Sequence, residues 1–276
     1  MILMVQKEVG DRLTGKPNTK DYNSLSVAME YKTNSKVAYK VSPNSFYPAP
    51  KVDSALLVMK VKKMDSDANF DAQFLKFVQE IFAQRRKTVI NNLNGKYSYD
   101  KQKLIDLFNE NNININLRAE TMTVNDILEL SNDIEKKNIT RYILEALPDW
   151  FGIPESREEY IEDSVGKIFF CAYKDEKPVG FLYLKQTGKD TVELAVMGVL
   201  KEYHRNGIGK SLFECAKKVI CEKGYSFIQV KTVQMGKYED YDKTNRFYIS
   251  LGFKEFEIFP TLWDEWNPCQ IYVMAL

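Results

Sequence analysis

The pattern of apolar residues in the second half of the chain predicts strands that alternate with helices. Apolar residues dominate positions 192–200, which is typical of a mostly buried β-strand. A glycine-containing loop at 204–209 ends this strand, and residues 210–221 then predict a helix. Upstream, residues 168–184 read as two strands that flank a charged turn. We therefore expect an α/β domain in this half.

Apolar residues in the first half recur at helical spacing. Residues 54–61 predict a strand, and three later groups of apolar residues are spaced three to four apart. These groups are Phe70, Phe74, Phe77, Val78, Ile81 and Phe82; Leu104, Leu107 and Phe108; and Val124, Ile127, Leu128 and Leu130. Thr123 is the predicted N-cap of the last helix. The polar segment 133–138 breaks the pattern, so we predict a domain boundary there, with helices at 139–147 and 156–164 beyond it.

Length and composition narrow the class of protein. A chain of 276 residues indicates about two domains. With 39 basic and 38 acidic residues, the chain lacks the charge excess that would by itself require nucleic acid. Charged Lys7 and Glu8 directly follow the apolar residues 1–5, and no apolar run reaches membrane-spanning length. We therefore expect a cytoplasmic protein with no membrane partner.

Histidine and cysteine usage argues against a metal site. His204 is the only histidine, which excludes a His-rich metal centre, so we predict no metal. The four cysteines lack Cys-x-x-Cys spacing and are expected to be reduced thiols.

The loop from His204 to Gly209 has the composition of a phosphate-binding turn. Gly207 and Gly209 permit backbone geometries that side chains would forbid, so consecutive N–H groups can point at one anion at a helix N-terminus. Dinucleotide-binding folds and plain turns also contain Gly-x-Gly. The third glycine of the dinucleotide fingerprint is missing, because Leu212 stands at its position.

This loop, together with the stretch from Tyr241 to Phe253, resembles the GNAT acetyltransferase superfamily. In that stretch Tyr248 is followed by Gly252 and Phe253, as in the superfamily's helix-and-turn signature. The sequence departs from the usual pattern at three positions, where His204, Tyr241 and Thr244 replace Arg or Gln, Asn and Ala. The last two departures suggest an altered contact to the pantetheine or 3′-phosphate arm. The resemblance covers residues 138–276 and implies an acyl-CoA N-acyltransferase fold with acetyl-CoA as cofactor.

The resemblance also implies a set of site residues. Those expected to bind the cofactor are Met197, Val199, His204, Arg205, Asn206, Gly207, Ile208, Gly209 and Lys210. Acetylation of an amine requires removal of a proton from the acceptor and protonation of the leaving thiolate. Glu193 is the candidate base and Tyr248 the candidate acid, with direct attack by a primary amine. The alternatives are a solvent-facing strand residue for Glu193 and a packing tyrosine for Tyr248.

The segment Trp263-Asp264-Glu265 occupies the place where proteins of this superfamily often shape the acceptor pocket. Its two carboxylates would attract a cationic amine, and a solvated loop explains them equally well. We expect a small-molecule or protein amine as acceptor. Edge-paired C-terminal strands are common in the superfamily, so a homodimer is a further expectation.

Four motifs in the first half resemble the C-terminal portion of the rRNA adenine N6-dimethyltransferase family. They occur in order at 4–13, 25–27, 46–54 and 84–93. The resemblance implies contacts with ribosomal RNA. The candidate residues are Phe46, which offers a stacking face, and Arg85, Arg86 and Lys87, which would contact phosphate or form a solvated helix face.

Two elements that this family needs for methyl transfer do not occur in the sequence. They are an N-terminal glycine-rich loop for S-adenosylmethionine and an Asn-Leu-Pro-Tyr segment. We therefore expect no methyl transfer by this chain alone. One alternative is an RNA- or ribosome-binding protein. Another is that Met1 is not the true start and that a longer reading frame restores the methyltransferase.

The sequence thus predicts three parts. Residues 1–64 form a truncated end of a Rossmann methyltransferase domain, 65–134 a small helical domain, and 135–276 a GNAT domain of α/β (α+β) class. The predicted activity is acetyl-CoA-dependent N-acetyl transfer to a primary amine.

Overall fold

The computed structural model describes residues 1–63, 68–97, 100–110 and 113–276. Within these residues the chain divides into two compact units, Met1–Asn132 and Asp133–Leu276. No helix among them combines the length and apolar character needed to cross a lipid bilayer.

The first unit begins with a three-stranded antiparallel sheet. Its elements are β1 (Ile2–Gln6), α1 (Lys7–Leu13), α2 (Ser24–Lys32), β2 (Thr33–Val41) and β3 (Ser54–Val61). The strand order is β1-β3-β2, so β3 is central. Alternate residues of β3, Ala55, Leu57 and Met59, are buried, as expected of a strand with one face on the core. The predicted strand at 54–61 is confirmed.

Helices form the rest of this unit. They are α3 (Ala68–Ile81), α4 (Val89–Leu93) and α5 (Lys101–Glu110), and α6 (Val124–Glu145) follows. The predicted cap of α6 is confirmed. Thr123 Oγ1 accepts a hydrogen bond from the Asp126 amide at 3.2 Å, and Asp126 Oδ2 accepts one from the Thr123 amide at 2.8 Å. The predicted boundary segment, 133–138, begins where the second compact unit begins, and its polar residues lie within α6 rather than between two helices.

The second unit is built on a six-stranded mixed sheet. Its further elements are α7 (Pro154–Asp163), β4 (Ile168–Lys174), β5 (Lys177–Gln186), β6 (Thr191–Val199), α8 (Ile208–Glu222), β7 (Phe227–Val233), α9 (Glu239–Leu251), β8 (Lys254–Phe259) and β9 (Cys269–Ala275). The strand order is β4-β5-β6-β7-β9-β8, and only β6 and β7 are parallel among these neighbours. The predicted hairpin at 168–184 is confirmed as β4 and β5.

The sheet has an apolar cluster on each face. One cluster joins Val192 and Leu194 of β6 to Leu212 and Phe213 of α8 and to Tyr248 of α9. The other joins Val196 to Phe181 and Tyr183 of β5 and to Ile143 and Leu144 of α6. Both faces of the central strands are therefore covered, which explains why β5 and β6 read as nearly continuous apolar runs.

Candidate functional site

The central feature of the second unit is a gap between β6 and β7. Their pairing covers only three residue pairs, from Thr191–Phe227 to Glu193–Gln229. Beyond Glu193, β6 stays paired with β5 and β7 stays paired with β9. The edge of β6 that includes Met197 and Val199 therefore has no strand partner on its β7 side. Backbone groups on such an edge are available to pair with a ligand.

A β-bulge lies beside this gap. Tyr183 pairs with Val196 but Leu184 pairs with Leu194, so Ala195 is an extra residue in β6. The bulge changes the face to which later side chains point. Leu194 and Met197, three residues apart, both belong to the cluster with α8, whereas Val196 belongs to the cluster with α6.

The loop between β6 and α8 places a helix N-terminus at the open end of β6. Gly207 caps α8 with φ +77°, a left-handed conformation that glycine adopts without strain. The first intrahelical bond, Ser211 N–H to the Gly207 carbonyl, leaves the amides of Ile208, Gly209 and Lys210 without a helical acceptor. With the helix dipole, these amides make a site for an anion.

Gly209 serves a different purpose from the one predicted. Its φ is not left-handed, so the expectation that both glycines allow special backbone geometry is wrong for this position. A Cβ at Gly209 would lie 3.0 Å from Phe247 Cζ and 3.1 Å from Met197 Cε. Gly209 therefore lets α8 approach α9 and β6 closely, which brings the anion site next to the strand gap.

His204 connects the loop to the end of β6. Its Nε2 lies 2.7 Å from the Val199 carbonyl oxygen, and its ring packs edge-on against Trp150 at 5.9 Å. The side chains of Arg205, Asn206 and Lys210 are exposed around the same loop. A cationic and amide-bearing rim of this kind suits a polyanionic ligand.

Glu193 is buried at the narrow end of the gap. The residue is only 8% exposed, so the alternative of a solvent-facing strand residue is wrong. Its Oε2 accepts hydrogen bonds from Lys231 Nζ at 2.8 Å and from Gln229 Nε2 at 3.3 Å, both on β7. A buried carboxylate held by an amine and an amide is a candidate proton acceptor.

Tyr248 lies in the cluster that also contains Leu194 and Met197. Its ring packs against Phe247 and Phe253, and the residue is 7% exposed. Burial raises the pKa of the phenol above its usual value, so it stays protonated at neutral pH. Within the described part of the chain, its hydroxyl makes no hydrogen bond. Tyr248 thus packs in the core and also keeps a proton available for donation.

Trp150 is a residue that the sequence did not single out. Its Nε1 donates a hydrogen bond to Thr244 Oγ1 at 3.1 Å, and its carbonyl accepts one from Tyr241 Oη at 2.9 Å. Burial raises the pKa of Tyr241 to about 12, so this phenol remains a donor. Only the three-dimensional structure reveals this contact, because Trp150 lies more than 90 residues before its partners.

The predicted acceptor segment lies in the loop between β8 and β9. Asp264 accepts hydrogen bonds from the Asn267 side-chain amide at 2.9 and 3.0 Å and from the backbone amides of Asn267 and Trp266, each at 2.8 Å. These bonds, the Asn267 side chain first among them, hold the pKa of Asp264 below its usual value. Trp263 and Glu265 are exposed. No hydrogen bond or ion pair among the described residues joins this loop to Glu193 or Tyr248, so Asp264 shapes its own loop.

The candidate RNA contacts of the first unit lie in loops. Phe46 is half-buried after a short 3-10 turn, Pro43–Ser45. The expected basic helix face is wrong, because residues 85–87 form the turn between α3 and α4. Arg85 donates to Glu120 Oε2 at 3.1 Å and to the Lys20 carbonyl at 2.8 Å. Arg86 and Lys87 are exposed cations.

A lysine-rich cleft in the first unit was not predicted. Its volume is about 450 Å³, and its charged lining residues are Lys16, Lys36, Lys60, Lys62 and Glu30. Lys16 pairs with the Glu30 carboxylate at 2.9 Å, and Lys62 donates to the Glu30 carbonyl. Lys36 and Lys60 make no ion pair within the described residues. Their outward-facing positions on adjacent strands leave a net positive charge in the cleft.

Each part of the chain contains a match to a known family. Residues 1–136 match the family model "Ribosomal RNA adenine dimethylase", and residues 166–255 match "Acetyltransferase (GNAT) domain". The chain combines a ribosomal RNA adenine dimethylase region with a GNAT domain. Both predicted resemblances and the predicted fold class are thereby confirmed.

Relatives of the dimethylase region are named ribosomal RNA small subunit methyltransferase A. The protein of Ligilactobacillus salivarius is 38% identical over 143 residues, which are 50% of this chain and 48% of the relative. That of a Geobacillus species is 40% identical over 141 residues, with 49% and 48% covered. The chain therefore spans about half the length of these curated relatives.

Two solved structures each align with about half of this chain. A GNAT-family acetyltransferase of Desulfovibrio desulfuricans has a TM-score of 0.45 and 18% identity, covering 51% of this chain and 92% of its own. A dimethyladenosine transferase of Plasmodium falciparum has a TM-score of 0.42 and 22% identity, covering 50% and 58%.

Proposed function

We propose that the GNAT domain is an acetyl-CoA-dependent N-acetyltransferase that acts on a primary amine. The observation that carries this proposal is the gap between β6 and β7, which opens toward the N-terminus of α8. An unpaired strand edge beside an anion site suits a ligand with an amide-containing arm and phosphates at one end. Acetyl-CoA has this chemistry and, when bound, would supply the acetyl thioester.

Eight of the nine predicted cofactor residues have a part in this proposal, and Gly207 caps the helix that carries three of them. The amides of Ile208, Gly209 and Lys210 would bind the pyrophosphate, with Arg205 and Asn206 at the exposed rim. The backbone of Met197 and Val199 would pair with the pantetheine amides and polarise the thioester carbonyl. His204 would hold the loop in place through its bond to the Val199 carbonyl.

The proposed chemistry uses Glu193 and Tyr248. Glu193 takes a proton from the ammonium of the acceptor, and the free amine attacks the thioester carbonyl carbon. The carbon–sulfur bond breaks, Tyr248 donates its phenolic proton to the departing thiolate, and the second proton lost by the attacking nitrogen restores the phenol. The Tyr248 phenol carries its proton throughout the neutral range, so the proton is present when the thiolate departs.

Calorimetric titration with acetyl-CoA, beside S-adenosylmethionine as the comparison, tests this proposal. The matched variants are Gly207→Ala and Gly224→Ala. Both glycines have φ near +80° and open space around the missing Cβ, but Gly224 lies at the opposite end of α8. We expect acetyl-CoA to bind to the unaltered chain. Gly207→Ala should weaken this binding about tenfold or more, because the loss of one or two amide contacts costs about 1.4 kcal/mol or more. Gly224→Ala should leave the binding unchanged. Absence of acetyl-CoA binding would refute the proposal.

A second candidate function is RNA binding by the dimethylase region. The lysine cleft favours it, because Lys36 and Lys60 present unpaired charge on one face of the sheet. We expect Lys36→Gln with Lys60→Gln to weaken binding of a ribosomal RNA hairpin. The slope of log K against log salt should fall by about 1.4–1.8, since each lost phosphate contact removes about 0.7–0.9.

Fluorescence anisotropy at about 50–200 mM salt measures this effect. Lys217→Gln with Lys218→Gln, on α8, is the charge-matched control. Arg86→Gln with Lys87→Gln tests the turn after α3. Equal effects of all three pairs would refute a role for the cleft.

A further inference from the structure

The chain itself carries an amine next to the proposed base. Lys231 Nζ lies 2.8 Å from Glu193 Oε2, within the distance of a direct proton transfer. The Lys231 side chain is 29% exposed, whereas the Glu193 side chain is 11% exposed. The lysine side chain is therefore partly accessible, although its partner is buried.

Lys231 also lies beside the gap. The last pair that joins β6 to β7 is Glu193–Gln229, and Lys231 is the next residue along β7 on the same face. This position is level with the start of the unpaired edge of β6. Met197 is four residues beyond Glu193 on that edge, a span that includes the bulge at Ala195. A flexible lysine side chain is long enough to turn from the carboxylate into the gap.

N-acetyl transfer requires an amine, a base and a thioester at one point. The chain supplies the first two in direct contact, and the gap is where the proposed function brings in the third. We propose that Lys231 is a site of self-acetylation by this GNAT domain. This inference rests on the proposed function, because it needs acetyl-CoA in the gap.

The step follows the same course as transfer to a free acceptor. The Lys231 ammonium gives one proton to Glu193, and its nitrogen lone pair attacks the carbonyl carbon of acetyl-CoA. The carbon–sulfur bond breaks, the nitrogen loses its second proton and the thiolate takes up one proton, so coenzyme A leaves as the thiol and Lys231 becomes an N-acetyl amide. The amide keeps one N–H toward Glu193 but loses its positive charge, so the ion pair with Glu193 is removed.

Mass spectrometry of the full chain tests the proposal. The purified protein is analysed first as isolated and then after incubation with isotopically labelled acetyl-CoA, with peptide mapping of every lysine. We expect one acetyl group per chain at Lys231, formed at a rate that saturates with acetyl-CoA concentration. Lys231→Arg keeps the positive charge and should abolish this label. Lys217→Arg, a half-buried lysine on α8, should retain it, and Glu193→Gln should slow it at least tenfold.

The outcomes separate this inference from the function on which it rests. If acetyl-CoA binds by calorimetry while Lys231 stays unlabelled, self-acetylation is refuted and the proposed function stands. If acetyl-CoA does not bind, the proposed function and self-acetylation are both refuted. Nonenzymatic acetylation would label many exposed lysines, at rates that are proportional to acetyl-CoA concentration and are the same in the folded and the heat-unfolded chain. This result would also refute self-acetylation at Lys231. Thermal unfolding of Lys231→Arg confirms that loss of label is not loss of fold.

Discussion

Replacement of Tyr248 by phenylalanine separates the structural part of this residue from its proposed chemical part. The ring packs against Phe247 and Phe253, and phenylalanine preserves these contacts. The hydroxyl has no hydrogen-bond partner within the described residues, so its removal leaves no partner unsatisfied. We therefore expect Tyr248→Phe to change the free energy of unfolding by less than about 0.5 kcal/mol.

The same substitution should greatly reduce acetyl transfer. Loss of a general acid lowers the rate about 10²- to 10⁴-fold, or about 2.7–5.4 kcal/mol in activation free energy. The assay follows release of coenzyme A thiol with an amine panel, alongside calorimetric binding of acetyl-CoA, which should be unchanged. The control is Tyr241→Phe, which removes the hydrogen bond to the Trp150 carbonyl and should lower stability by about 1 kcal/mol. Retention of activity within about threefold in Tyr248→Phe would contradict the proposed acid.

Three further predictions concern packing and thiol reactivity. Gly198→Ala should lower the free energy of unfolding by about 1–3 kcal/mol, because the new Cβ would lie 2.8 Å from buried Ile143. The control is Gly188→Ala, which should not lower it, because the nearest atom to the new Cβ is 3.7 Å away. Chemical denaturation measures both variants. Tyr272→Phe should leave the free energy of unfolding unchanged or raise it by about 1 kcal/mol, because the buried Tyr272 hydroxyl has no partner in the described part of the protein. The comparison is Tyr183→Phe, which removes a hydrogen bond to the Tyr160 carbonyl. If both variants lose the same free energy of unfolding, the Tyr272 hydroxyl has a partner. Burial raises the pKa of the Cys269 thiol to about 11 and shields it from solvent. Iodoacetamide at pH 8 should therefore modify Cys269 at least about tenfold more slowly than exposed Cys215 or Cys221, and equal rates would contradict this.

The elements that were predicted correctly from the sequence are those whose conformation is determined by residues close together in the chain. The hairpin of β4 and β5 combines apolar runs with a charged turn, and Asp175 and Glu176 adopt left-handed φ values at that turn. The start of α6 has a reciprocal cap at Thr123 and Asp126. The loop between β6 and α8 combines a preceding strand, a left-handed Gly207 and an amphipathic helix. In each case neighbouring residues determine the conformation.

The features that escaped prediction depend on contacts between distant segments. Strict alternation along β6 would place Leu194 and Met197 on opposite faces, but the bulge at Ala195 brings them to the same cluster. The partner of Glu193 is Lys231, 38 residues away on a strand that pairs with β6 at only three positions. The lysines of the cleft are spread over residues 16–62 and converge only in the folded sheet.

The two departures from the superfamily pattern on α9 have one common explanation in the structure. Tyr241 and Thr244 are three residues apart, so both point from one side of the helix. Each makes a hydrogen bond to Trp150, one to its carbonyl and one to its indole nitrogen. Asn and Ala at these positions would not reproduce this pair, because Ala has no acceptor for the indole N–H. The substitutions therefore act together to hold the segment between α6 and α7, whose Trp150 also packs against His204 of the anion-binding loop. His204, the third departure, belongs to the same set of contacts, so all three positions are coupled through one tryptophan rather than being independent changes.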